Sequence, residues 1–168
     1  MKNIIALLCI TALISCNTRA QDAEKSKKEN TTQKEFPVSK TEAQWKAELD
    51  DMEFYVLRKE GTEPAGANEY NKLYEKGVYL CAGCGVKLYE SEYKYDSGSG
   101  WPAFDRGVKE NLAYETDTSA GMVRKEVHCA NCGGHLGHVF EDGPSATTGL
   151  RHCINSAALD FIPAKTNE

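Results

Sequence analysis

The sequence predicts a mainly antiparallel β domain, entered through a helix and carrying a zinc-ribbon-like site of four cysteines, and three features lead to it. After Gly61 the chain breaks into short segments such as "VYLC", "GMVRKEVHC", "HLGHVF" and "RHCINS", separated by clusters of Gly, Pro, Asp and Ser. Two CxxC pairs, "CAGCG" and "CANCGG", repeat one another down to the trailing glycine. Ahead of both, "SKTEAQWKAELDDM" has the period of a helix rather than of a strand. With 168 residues, 40% of them hydrophobic, the chain has room for a single core.

From the N-terminus, Lys2 and an apolar run over residues 4–14, too short to span a bilayer, read as an export signal occupying 1–15. "LISC", ending at Cys16, resembles the lipobox of bacterial lipoproteins, in which the cysteine is lipidated and becomes the new N-terminus. The competing reading is an ordinary signal peptide cut after Ala20, which discards Cys16. With the lipobox as first choice, the protein is exported and membrane-anchored, in the periplasm or at the cell surface. Loss of a leader that holds Lys2 and no acid takes the formal net charge from −5 to −6, which argues against a nucleic-acid partner.

Residues 16–38 are Lys, Glu, Asn, Thr and Gln with almost nothing apolar, a composition that reads as a flexible polar tether with a reach of roughly 25 Å. The domain proper then runs over 39–165. Ser39 followed by Glu42 is a capping-box pattern, and Trp45, Leu49 and Met52 fall at helical spacing, so one helix is expected to lay Trp45 on the body of the fold.

In each knuckle, Cys81 with Cys84 and Cys129 with Cys132, the glycine that follows permits a tight turn that aims two sulfurs at one point. Two such turns make a tetrahedral thiolate site suited to one structural zinc, with no position left open for chemistry. Three rivals stay open at this level: disulfides, since an exported chain meets oxidising surroundings, a redox dithiol, and a rubredoxin-like iron.

Cys153 then stands alone among the thiols of the domain. Along a strand through "RHCIN", Arg151, Cys153 and Asn155 share one face, and a cation and an amide beside a thiol are expected to lower its pKa and position its attack. In "HLGHVF" the alternation sets Leu136, His138 and Phe140 on one side and turns His135 away unless a bulge intervenes. Taken singly, Cys153 reads equally as a small buried hydrophobe, His138 as a satisfied core histidine, Trp101 as core and Asn155 as a backbone cap.

Together, "GTEP", "GVYLCAGCG", "YDSGSGWPAF", "VHCANCGGHLGHVFEDGP" and "TGLRHCINSAAL" resemble the B-type peptide methionine sulfoxide reductases, in order and over essentially the whole domain. The resemblance implies a β-tent of antiparallel sheets with short N-terminal helices, structural zinc on the four paired cysteines, and reduction of methionine-R-sulfoxide in peptides and proteins. It implies Cys153 as nucleophile, leaving as a sulfenic acid, His138 as proton donor with His135 second, Trp101 as the wall against the substrate methyl, and Asn155 and Arg151 as groups that hold and polarise the site. The chain departs from the family where many members carry a cysteine before "GWP" that traps the sulfenic acid: the residue is Ser99, followed two places after the tryptophan by Ala103. Regeneration is therefore expected from an external thiol, such as a thioredoxin-like protein, acting on a monomer held to the membrane by its lipid. A zinc-ribbon module that binds peptide without catalysis, and a thiol-disulfide oxidoreductase working through one CxxC, are the alternatives from other classes.

Overall fold

The computed structural model describes residues 35–165. The expected leader, Cys16 and all but the end of the expected tether lie outside the described residues. Phe36 lies edge-on to the His128 ring at 6.0 Å, and the Val38 N–H donates to the Asn131 carbonyl at 2.8 Å, so the chain already rests on the second knuckle before Ser39.

The one helix expected from the apolar spacing is two, in keeping with the short N-terminal helices that the resemblance implies. α1 (Glu42–Glu48) is capped by Thr41, in a capping box with Gln44, and not from Ser39. α2 (Asp51–Lys59) is capped by Asp50, whose carboxylate accepts from the N–H groups of Met52 and Glu53 at 2.8 and 2.7 Å. Between them Leu49 is extended. An acid placed to bind two orphan N–H groups starts a new helix where the apolar spacing alone would have continued the old one. Trp45 is buried as expected, beneath Lys40 and Arg58, whereas Met52 is 41% exposed and outside the core.

Nine strands follow among the described residues: β1 (Gly77–Cys81), β2 (Lys87–Glu90), β3 (Lys94–Tyr95), β4 (Ala103–Phe104), β5 (Leu112–Asp117), β6 (Arg124–Cys129), β7 (His135–Phe140), β8 (Arg151–Ile154) and β9 (Leu159–Pro163). They form two antiparallel sheets, a small one in the order β2-β1-β9 and a larger one in the order β3-β4-β8-β7-β6-β5. The fold is thus mainly β, with two short helices. Side chains from both sheets meet in the core, where Tyr89 of β2 stacks on Phe104 of β4 at 4.3 Å and Tyr79 of β1 meets Phe104 edge-on at 5.1 Å. Truncating a fully buried ring such as Phe104 to alanine costs about 3–5 kcal/mol.

The register of the larger sheet lines up the chemistry. Reading across it, Tyr95, Ala103, Cys153, His138 and Glu126 are direct partners in turn. Partners in antiparallel strands project from the same face with Cβ atoms about 5 Å apart, so Cys153 and His138 are neighbours by construction. Gly137 makes room for this: a Cβ there would lie 2.0 Å from the carbonyl oxygen of Cys153.

Candidate active site and metal centre

Cys153, His138, Asn155 and Trp101 line one cavity of about 130 Å³, together with Phe140 and Gly137. His135 and Arg151 do not reach it. His135 stands behind His138, ring to ring at 5.4 Å, in the wall of an adjoining polar cavity. What brings it there is a register shift between Val127 and His128, the bulge on which its direction was expected to depend. Its Nδ1 bonds to a carboxylate oxygen of Glu126 at 2.6 Å, and its buried Nε2 has no partner among the described residues.

Arg151 is engaged mainly outside the cavity. Its guanidinium makes a two-pronged ion pair with Asp142, with both contacts at 2.8 Å, and lies 4.3 Å over the Phe140 ring. The expectation that a neighbouring cation lowers the pKa of Cys153 is corrected accordingly: burial pushes this thiol above its ordinary value, and the hydrogen bond from Ser99 and the charge of Arg151 offset only part of that. The Ser99 hydroxyl lies 3.8 Å from the sulfur.

His138 is the mirror case. Burial lowers its pKa, while its bond from Nε2 to Asp117 at 2.9 Å acts to raise it. Asp117 is itself held well below the usual carboxylate range by hydrogen bonds from Ser119, His138 and Arg124. The resting site therefore holds a protonated thiol beside a neutral imidazole whose ring is oriented by a permanently ionised carboxylate.

Glu63 organises the opposite wall, a role that the sequence did not disclose. Its buried carboxylate accepts from the backbone N–H groups of Ser156 and Ala157, just past β8. Its own N–H donates to Asn155 Oδ1 at 3.1 Å, and its carbonyl accepts from Trp101 Nε1 at 3.1 Å. Asn155 completes the brace by donating to the Leu136 carbonyl at 3.0 Å. The amide thus does what a backbone cap does, from a place in the cavity wall. "GTEP" stood out as a motif, but nothing local in it announces contacts made more than ninety residues away.

The four knuckle cysteines converge. Their sulfurs all lie within 4.8 Å of one another, with Cys81 to Cys132 at 3.7 Å and Cys84 to Cys129 at 3.6 Å. Disulfide sulfurs stand about 2.0 Å apart, so neither of these contacts is a disulfide, and all four cysteines are free thiols. Sulfurs bound tetrahedrally at about 2.3 Å from a common metal stand roughly 3.8 Å apart, which these contacts match. Gly85 and Gly133 close the knuckles at φ of 73° and 70°, the left-handed conformation expected of them. The Asn131 amide donates to Cys84 Sγ at 3.3 Å, a hydrogen bond of the kind that steadies a thiolate ligand. The cluster suits a metal ion, and Cys153, 3.8 Å from Ser99 and in another cavity, takes no part in it.

The SelR domain model matches residues 49–163. A peptide methionine sulfoxide reductase MsrB of Bradyrhizobium diazoefficiens is 52% identical over 127 residues, covering 75% of this chain and 91% of the relative. One of the same name from Leptospira interrogans is 50% identical over 127 residues, 75% of this chain and 96% of its own length. The chloroplastic peptide methionine sulfoxide reductase B3 of rice is 49% identical over 128 residues, which make up 76% of this chain and 55% of that larger protein.

Proposed function

Because the chain belongs to the SelR-domain family of peptide methionine sulfoxide reductases, we propose that it reduces methionine-R-sulfoxide in peptides and proteins, with Cys153 as the nucleophile and an external thiol as the final reductant. The observation that carries this reading is the pairing of Cys153 with His138 across β7 and β8, inside a cavity walled by Trp101.

A sulfoxide seated with its methyl against Trp101 presents its oxygen to His138 and its sulfur to Cys153. The Cys153 sulfur attacks the sulfoxide sulfur, and the thiol proton passes through the His138 imidazole to the oxygen. The oxygen then passes from the methionine sulfur to the Cys153 sulfur: the transient sulfur–sulfur bond and the sulfoxide's sulfur–oxygen bond break, an oxygen–sulfur bond to Cys153 forms, and methionine and a Cys153 sulfenic acid result, with no net proton taken up or released. His138 acts as a relay, because it starts neutral and the proton it delivers comes from the thiol. Asp117 holds the ring in the tautomer that can do this, a positioned proton transfer contributing about 10²–10⁴ in rate.

Zinc is the metal proposed for Cys81, Cys84, Cys129 and Cys132, one ion per chain. When bound there it supplies folding energy and no chemistry. Export and anchoring through Cys16 are proposed on Lys2, the apolar run 4–14 and "LISC", and the anchored protein acts as a monomer on oxidised periplasmic or surface proteins.

The test is a peptide bearing methionine sulfoxide of defined epimer, given to the purified protein without reductant. One equivalent of methionine per chain is expected from the R epimer, next to none from the S epimer, and none from Cys153→Ser. Equal yields from both epimers would overturn the stereochemical reading, and product from the serine variant would move the chemistry to another residue.

A further inference from the structure

Cys153 has a second side. Beyond Ser99 lies a cavity of about 440 Å³ that the reduction of sulfoxide does not use, walled by Tyr95, Ser97, Ser99, Asp142, Pro144 and Arg151. Ser99 is the partition between this space and the nucleophile: its hydroxyl lies 3.8 Å from the Cys153 sulfur and 2.9 Å from the Ser97 hydroxyl. Tyr95 belongs to the cross-strand row of Cys153, with only the methyl of Ala103 between them. Its hydroxyl is sealed from solvent and has no hydrogen-bond partner among the described residues.

We propose that this cavity binds a small hydrophilic thiol and delivers it to the sulfenic acid on Cys153; the proposal rests on the sulfoxide reduction described above. The direction follows from displacement at sulfur, in which the entering and leaving groups stand on opposite sides of the atom attacked. The sulfenic oxygen arrives from the substrate cavity and faces His138 on the β7 side of β8, so the entering sulfur comes from the β4 side, the side of Ala103 and Tyr95, past Ser99. Polar walls select a polar guest, because an apolar one would leave the Tyr95 hydroxyl still without a partner. The volume lies in the range of small-molecule sites, which favours a free thiol over one carried on a protein loop.

The chemistry balances with two thiols. The first, as thiolate, attacks the Cys153 sulfur, a sulfur–sulfur bond forms, the sulfur–oxygen bond breaks, and the departing hydroxide takes up the proton the thiol gave away, leaving as water. The second attacks the outer sulfur of the mixed disulfide, which releases Cys153 and a symmetrical disulfide. One sulfenic acid is reduced and two thiols are oxidised. The Tyr95 hydroxyl, whose own pKa is raised by burial, stays protonated and donates to the entering sulfur once the guest displaces the side chains that cover it.

The experiment separates the two half-reactions, with β-mercaptoethanol as the thiol. The protein is first given R-sulfoxide peptide alone and the first equivalent of methionine is timed; the sulfenic acid form is then mixed with increasing thiol, and its decay is followed by mass spectrometry. Pro144→Trp fills the cavity from a wall remote from the catalytic residues, and Tyr95→Phe removes only the orphan hydroxyl. Each should slow decay of the sulfenic acid by about tenfold or more while leaving the first equivalent within about twofold of the wild-type rate. Should Pro144→Trp fail to fold, Tyr95→Phe decides alone. Unchanged decay in the folded variants would overturn the proposal. So would a loss confined to regeneration by a thioredoxin-class protein with β-mercaptoethanol unaffected, since the cavity would then serve a protein partner. A wild-type protein that yields no first equivalent refutes the reductase reading itself, and the cavity's role with it.

Discussion

The Nε–Nη2 edge of the Arg151 guanidinium is spent on Asp142, so its charge reaches Cys153 from a pair that is already half neutralised. Burial wins the competition, and the thiol keeps its proton. Alkylation of Cys153 by iodoacetamide is therefore expected to rise with pH only above the range of an ordinary thiol, and Arg151→Leu, which removes one of the groups acting downward, should move that profile further up; a shift downward would refute the balance described. Glu63 carries a different load. Glu63→Gln replaces an acceptor of two backbone N–H groups with an amide that satisfies one and confronts the other, at a cost of about 2 kcal/mol. Because the Glu63 backbone holds Trp101 and Asn155, the variant should also change Trp101 fluorescence and raise KM for the peptide. A lower melting temperature with KM and fluorescence unchanged would make Glu63 a structural residue only. Cys153, His138, Trp101 and Asn155 were legible as a set because they lie in short motifs with strong local pattern. Glu63 and Asp117 were not, since each works on residues brought to it by pairing of distant strands.

At the level of elements, the knuckles were readable for the same reason that they fold: the spacing CxxCG encodes a turn by itself, and two copies encode a site. The helices were readable only in part. Apolar spacing marked where Trp45 would go, but the break at Leu49 depends on Asp50 capturing two N–H groups, and a cap competes with periodicity in a way that spacing alone does not rank. The position of His135 likewise turned on a bulge in β7, where Leu136 is the extra residue between the pairs Val127–Gly137 and His128–His135. Substituting Cys84 or Cys132 by serine is expected to release the metal, to lower the melting temperature and to reduce activity through a loosened scaffold. Metal content by mass spectrometry under native conditions should fall from one ion per chain towards none, and an unchanged melting temperature in a metal-free variant would show that the cluster does not support the fold.

For the molecule as a whole, stability should follow a buried histidine. Burial holds His152 down to about 4, where its Nδ1 pairs with the Tyr89 hydroxyl at 3.2 Å. The unfolded chain takes up this proton near pH 6.5 and the folded one does not, so the contribution is complete above about 6.5 and is lost as the pH falls towards 4, by about 3 kcal/mol in all. The difference between wild-type and His152→Asn melting curves over that window isolates the effect from carboxylates such as Glu63, whose burial acts with the opposite sign. Cys16→Ser is expected to leave the chain as an unprocessed precursor or to free it from membranes; correct cleavage with membrane partitioning retained would refute the lipid anchor. The raised pKa of Cys153 has one more effect, on how the protein endures its surroundings. Hydrogen peroxide oxidises thiolates far faster than thiols, so a nucleophile that idles with its proton on is passed over by the oxidant whose damage it repairs. On the proposed mechanism methionine sulfoxide wakes it because the substrate brings its own oxygen to His138, and the same burial that should make the thiol sluggish towards alkylating agents keeps its sulfur unspent until there is something to mend.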